Sequence, residues 1–309
     1  MDTKRRQLMQ AAVGLAGTGA MPKRALGKTG LEVSILGLGG APVGNLPDER
    51  AAVDVVKACY AAGVTYFDTA SAGAYGLSQT RYGLALRSVR DKVVLATKTR
   101  HRTWTQAELD LTQSLSNLKT DRIDLYQIHN VINDEDIEFI FARRGVMEMV
   151  EKARRDGKIR FVGVTGHTDP KVLNRILGMY RFDTILMPLS VADGANRAKS
   201  FEAETLPVAR RMGLGVIAMK TLGAGAVLRE RAATVDEALR YAWTLPVSTA
   251  ILGCSETAHV SVNAAAARAH RPLTADAMER LRRRLGEYPL HAMEPWKGMR
   301  PEAGEYRAD

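Results

Sequence analysis

Four side chains able to move or hold a proton stand at the ends of apolar runs. Asp68 closes "TYFD", Lys98 follows "VVLAT", His129 follows "IDLYQI", and Tyr75 lies a few residues beyond Asp68 among small residues. A carboxylate, an ammonium, a phenol and an imidazole make a set suited to general acid–base work. A free tyrosine titrates near ~10, and a nearby ammonium favours its phenolate. A carboxylate beside the lysine avoids leaving a buried charge unpaired, and a buried strand that ends in Asp68 needs some partner for it. Each residue also has a plain structural reading: Lys98 turned to solvent, His129 hydrogen-bonded in a core, Asp68 capping its loop, Tyr75 simply packing. The set has chemical meaning only if the chain brings its members to one place.

The elements that would do so are short. Apolar runs at 35–39, 65–68, 93–97, 123–128, 160–164, 184–188, 215–219 and 249–253 alternate with helical patterns. Most are apolar at consecutive positions, as strands covered on both faces should be. Asp48 can cap a helix with Ala52, Val55, Val56, Cys59 and Ala62 on one face and Gly63 after it. "TQAE" (Thr105 to Glu108) and "TVDE" (Thr234 to Glu237) are capping-box patterns. Leu111, Leu115 and Leu118 repeat at helical spacing, and Thr274 caps a last Arg-rich helix. "KRAL" and "LEVS", joined by a turn at Gly27 to Gly30, read as a hairpin ahead of the series. Eight strand–helix units without a linker favour a (β/α)8 TIM barrel with an N-terminal β-hairpin plug and an extra C-terminal helix. An open doubly wound sheet would want a Gly-rich turn running straight into a helix. "GLGGAP" (Gly37 to Pro42) is spoiled for that by Pro42 and the gap before Asp48. In a closed barrel, Asp68, Tyr75, Lys98 and His129 all lie at the C-terminal ends of neighbouring strands, where such barrels place function.

Composition narrows the classes. The 309 residues are 46% hydrophobic, with 44 basic against 34 acidic side chains and a formal charge of +10. The basic residues are scattered, which reads as a solvated surface and not as a nucleic-acid stripe. No apolar run has the length of a membrane span. Cys59 and Cys254 are too far apart in sequence to read as a disulfide framework, and Cys59 reads as a small core residue. The six histidines show no metal-ligand spacing, so no metal is expected. Residues 1–20 stand apart: "KRRQLMQ" before a Gly/Ala-rich run resembles a twin-arginine export signal, which would place the protein in the periplasm. The other readings are a basic leader and a start at Met21. Residues 21–309 are read as one barrel domain.

The chain resembles the aldo-keto reductases from Met21 to about Arg271. The resemblance rests on "RALGKTGLEVSILGLGG", "YFDTA", "YGLSQTRYGLAL", "VVLATKT", "DLYQIHN" and "GVIAMKTLGAG". It implies that Asp68, Tyr75, Lys98 and His129 are the catalytic set, with Tyr75 giving a proton to a carbonyl oxygen. Lys98 would tune the phenol, Asp68 would hold the lysine, and His129 would orient the substrate. It also implies a nicotinamide cofactor as hydride source, NADPH with NADH possible. Thr165, Met219, Lys220, Leu222, Gly223, Gly225, Gly253, Ser255, His259 and Asn263 match the cofactor-binding positions. The expected partner is a small carbonyl compound, with no nucleic acid or membrane, acting on a monomer or weak oligomer. A second reading keeps the barrel as a non-catalytic nicotinamide-binding regulatory or sensor subunit.

The departures from the family pattern are specific. Thr165-Gly166 stands where Ser-Asn is frequent, and Leu186 where Gln often grips the carboxamide. Ser255, Glu256 and His259 replace the residues expected around a 2′-phosphate. Asp68 and Tyr75 are spaced by extra small residues. Substrate choice is expected in the loop "NVINDEDIEFIFARRG" and in the tail holding Trp296 and Tyr306. Arg100, His101, Arg102 and Trp104 are expected as a solvated basic rim.

Overall fold

The structure is a computed structural model and describes residues 19–299. The export signal read in residues 1–20, apart from its last two positions, and Tyr306 lie outside the described residues. An antiparallel hairpin comes first, β1 (Lys23–Ala25) paired with β2 (Glu32–Ser34). Eight strands follow: β3 (Leu36–Gly39), β4 (Tyr66–Asp68), β5 (Val94–Thr99), β6 (Ile123–Ile128), β7 (Ile159–Thr165), β8 (Thr184–Pro188), β9 (Gly215–Met219) and β10 (Thr249–Gly253). They pair in parallel in chain order, and β10 closes on β3. The open-sheet alternative is thereby excluded.

Strand alternation sorts the side chains. Tyr66, Val94, Ala96, Leu125, Leu186, Ile217 and Met219 form one buried cluster inside the barrel. Leu26 and Val33 of the hairpin join it, so the hairpin does plug the end where the strands begin. Gly27 permits this. It has φ +56°, and a Cβ there would lie 2.2 Å from the Gly215 nitrogen. The other strand face packs on the surrounding helices in a second, larger cluster.

Several helix starts follow their sequence signals. Asp48 accepts from the Arg50 and Ala51 amides at the head of Glu49–Ala61, where Ala52, Val55, Val56 and Cys59 are buried. Thr234 and Glu237 form the expected capping box, and Thr274 caps Ala275–Gly286. "TQAE" does not. That helix runs Trp104–Leu118 from Thr103, and no side chain caps it. A bridge between Thr103 and Gly145, with Trp104 N–H on the Arg144 carbonyl, starts the helix early and leaves Thr105 inside its first turn. The Gly-rich turn after β3 also departs from expectation, since it opens into a short helix, Gly40–Asn45, despite Pro42.

Candidate active site

The interior alternation continues past the apolar cluster into polar residues. Asp68 lies two positions after Tyr66, Lys98 two after Ala96, and Gln127 two after Leu125, so all three extend inward-facing rows at the C-terminal end. Their packing follows: Asp68 and Gln127 are 0% exposed and Lys98 1%. Lys98 Nζ pairs with Asp68 Oδ1 and donates to the Thr69 carbonyl at 2.7 Å. Gln127 Nε2 donates to Asp68 Oδ2 at 2.9 Å. Each carboxylate oxygen of Asp68 therefore has a donor. Burial still pushes the Asp68 carboxyl above the ordinary range, against Lys98 and Gln127. Burial works against the Lys98 ammonium too, but Asp68 and Tyr75 together hold its pKa above the usual lysine value.

Tyr75 reaches the same lysine. The small residues after Asp68 wind into one turn, Ala72–Tyr75, that carries the phenol back over the barrel mouth. Lys98 Nζ is 4.9 Å from the Tyr75 ring centroid, close enough for its charge to act on the phenol. The ammonium alone would lower the phenol pKa, as the sequence suggests. Burial outweighs it, so Tyr75 is held above its usual value and stays protonated at neutral pH.

His129 stands edge-on to Tyr75, with centroids 6.2 Å apart. Burial and the surrounding cations Lys98, Arg102 and Arg100 keep its imidazole neutral, far below the ordinary histidine pKa. His167, outside the expected set, stands edge-on to His129 at 6.4 Å. Burial, with Lys220 and Lys98 nearby, pulls its pKa to about 3. Its one sequence signal is its place just after the fifth barrel strand, two residues beyond Thr165. Gln127 was legible too, by alternation between Leu125 and His129.

The loop after β6 is ordered by Arg102, which is not part of a solvated rim. Arg102 is 4% exposed, pairs through two nitrogens with the buried Asp136, and donates to the His129 carbonyl at 2.8 Å. The expected loop is partly a helix, Asp134–Phe141, capped by Asn133. Thr165 Oγ1 accepts from the Asn130 amide at 2.8 Å, so its hydroxyl steadies this loop. Leu186 pairs in register with Thr165 and belongs to the apolar interior.

A cleft of about 480 Å³ opens beside Tyr75, lined among others by Gly39, Met219, Lys220, Leu222, Gly225 and Gly253. That size suits a small-molecule site. Its floor loop takes positive φ at Lys220, Gly223, Ala224 and Gly225. Turns that change hand in this way direct backbone N–H groups into a concavity that accepts phosphate oxygens. The cleft therefore fits the nicotinamide and pyrophosphate portions of a dinucleotide. Gly223 is buried within the loop and does not line the cleft. Lys220 Nζ lies 5.2 Å from the Trp296 ring, which brings the tail to the cleft edge. Lys297 holds that tail down, donating to Asp193 Oδ1 at 2.7 Å and Glu294 Oε2 at 2.8 Å. Ser255, His259 and Asn263 form a separate patch around the start of helix Thr257–Arg268. There His259 Nε2 lies 3.1 Å from Glu256, and Asn263 bonds the Cys254 sulfur.

A closed parallel barrel with this constellation at its C-terminal mouth defines a class, and sequence comparison agrees with it. The chain belongs to the Aldo/keto reductase family, whose model matches residues 35–238. That family generally carries out NAD(P)H-dependent oxidoreduction of carbonyls. The chain is 32% identical over 161 residues to aldo-keto reductase YhdN of Bacillus subtilis, covering 47% of each. It is 30% identical over 218 residues to L-galactose dehydrogenase of Arabidopsis thaliana, covering 65% of this chain and 66% of that one. It spans about half the length of the first curated relatives it matches. Among solved structures, the holo form of aldo-keto reductase AKR11C1 from Bacillus halodurans superposes with a TM-score of 0.72 at 27% identity. That match covers 85% of this chain and 96% of the other.

Proposed function

We propose that the protein reduces an aldehyde or ketone to an alcohol with NADPH, using Tyr75 as proton donor. One observation carries the reading: Lys98 pairs with the buried Asp68 and lies 4.9 Å from the Tyr75 ring centroid at the end of the cleft. When bound, the reduced nicotinamide supplies hydride to the carbonyl carbon. Tyr75, protonated at neutral pH, is in the form that gives a proton to the carbonyl oxygen. Lys98 stabilises the phenolate left behind, and Asp68 with Gln127 fixes the lysine head. Neutral His129 can donate to the same oxygen and set its angle. Met219, Lys220, Leu222, Gly225 and Gly253 are the residues to hold the cofactor along the cleft, with Gly223 shaping the loop. Ser255, His259 and Asn263 are positioned for its adenosine phosphate end, where His259 favours a 2′-phosphate and Glu256 opposes it.

The test is carbonyl-dependent loss of reduced-nicotinamide absorbance across aldehydes, ketones and aldoses, the last suggested by the likeness to L-galactose dehydrogenase. Tyr75→Phe should lower turnover roughly 10²–10⁴-fold with cofactor affinity nearly unchanged. A folded Tyr75→Phe protein at near-parental rate would overturn the role. Cofactor binding without turnover on any carbonyl would favour the sensor reading instead.

A further inference from the structure

The loop that floors the cleft holds a backbone shape that its own residues resist. Lys220 and Ala224 have φ of 59° and 51°, the left-handed region that side chains disfavour, and Gly223 and Gly225 flank Ala224 at 57° and 88°. Such a shape persists only where the surrounding structure over-determines it. Support comes from the tail. A Cβ on Gly223 would lie 3.3 Å from the Met293 carbonyl oxygen, and Lys220 Nζ stands 5.2 Å from the Trp296 ring centroid. Met293 and Trp296 are both buried, one ending helix Leu290–Met293 and the other in the turn Pro295–Gly298. Neither lines the cleft, so the tail backs the loop without entering the site. The tail's own polar contacts are incomplete: Glu294 Oε1 and Trp296 Nε1 are buried with no hydrogen-bond partner among the described residues, which costs free energy. Lys297 provides the hold. Its ammonium donates to Asp193 Oδ1 at 2.7 Å, to Glu294 Oε2 at 2.8 Å and to the Lys199 carbonyl. Asp193 is itself fixed by the Phe201 and Glu202 amides, at 3.0 and 2.8 Å.

We propose that Lys297 is a positioning residue for the nucleotide: it latches residues 290–298 against the loop 220–225 and so keeps that loop in the shape that receives the cofactor. Lys297 does not line the cleft. Its effect passes through Met293 and Trp296 to Gly223 and Lys220. With the latch broken, Lys220 and Ala224 relax towards negative φ and the loop amides turn away from the concavity. Only a fraction of the molecules is then ready to bind, and affinity falls by that fraction. By reciprocity, a nucleotide that selects the braced loop must also tighten the tail. The nucleotide half of this proposal rests on the reading of the cleft given above; the brace itself does not.

The experiment compares the full chain with Lys297→Met and with Trp296→Leu, the second of which leaves the latch in place. Without nucleotide, hydrogen exchange at residues 220–229 should be faster in both variants than in the parent. In Lys297→Met the NADPH and NADH Kd values, read by fluorescence titration, should rise together by about tenfold, as for a loop competent about one-tenth of the time. Adenosine 2′-phosphate, which spans only the patch assigned above to Ser255, His259 and Asn263, should keep its Kd. An equal rise for that fragment would mean general loosening and would overturn the positioning role. Unchanged loop exchange, or unchanged dinucleotide affinity, would overturn it too. The parent offers an arm free of any variant: NADPH should slow exchange at residues 288–299 as well as at 220–229. Protection confined to the loop would overturn the coupling. A parent that binds neither dinucleotide would overturn the cofactor reading, leaving the brace judged by exchange alone.

Discussion

Gly44 sits against Tyr75: a Cβ on Gly44 would lie 1.7 Å from the Tyr75 carbonyl oxygen. The Leu77 amide also donates to the Gly44 carbonyl at 3.2 Å, so the two segments are tied at the point where the proposed acid is aimed. Gly44→Ala must push the Tyr75 turn outward. Overpacking of this kind costs ~1–3 kcal/mol, so the barrel should still fold. Turnover should fall at least as much as the melting temperature suggests, with nicotinamide affinity nearly kept. An alanine variant at full turnover would show that Tyr75 can move without loss.

Lys98→Met addresses the other side of the phenol. Asp68 would lose its cation while remaining buried, and breaking a buried pair costs about 3–5 kcal/mol. Chemical denaturation should show that loss, and turnover should drop in the protein that remains folded. The effect should not add to Tyr75→Phe, because both act through one proton transfer. An additive double mutant would separate Lys98 from the proton step.

His167 makes an acid-side prediction. Its folded pKa, about 3, lies below the unfolded value near ~6.5. Below that unfolded value the open chain takes up the proton and the folded chain does not. The stabilisation is therefore complete above pH ~6.5 and shrinks as pH falls, by ~2 kcal/mol at pH ~5. His167→Phe should flatten this part of the pH–stability curve. An unchanged acid limb in the variant would place the titration elsewhere.

Arg102→Met should loosen the loop that carries His129. It removes the cation from the buried Asp136 and a donor from the His129 carbonyl. A destabilisation of about 3–5 kcal/mol is expected, and KM for the carbonyl should rise more than the Kd for cofactor. Asp136→Asn, which keeps one acceptor, should be milder. Equal changes in both binding constants would argue for a global effect.

Glu256→Arg tests cofactor choice. Glu256 and His259 are a close pair at the head of helix Thr257–Arg268. Replacing the carboxylate with a guanidinium should tighten NADPH and leave NADH little changed, as read by paired fluorescence titrations. A parent protein that strongly prefers NADH would refute the NADPH assignment.

The sequence alone was enough for the barrel, because eight apolar runs alternating with capped helices leave few other ways to cover both faces of a parallel sheet. It was also enough to put Asp68, Lys98 and His129 at one end, since strand direction and side-chain alternation are local properties. Contacts between distant segments were decided only on folding. Arg102 reads as one of several basic rim residues until Asp136, on helix Asp134–Phe141, gives it a buried partner. "TQAE" reads as a cap until the Thr103–Gly145 bridge starts the helix sooner. The phenol of Tyr75 reads as acidified by Lys98 until burial outweighs the ammonium, and burial has no local sequence sign.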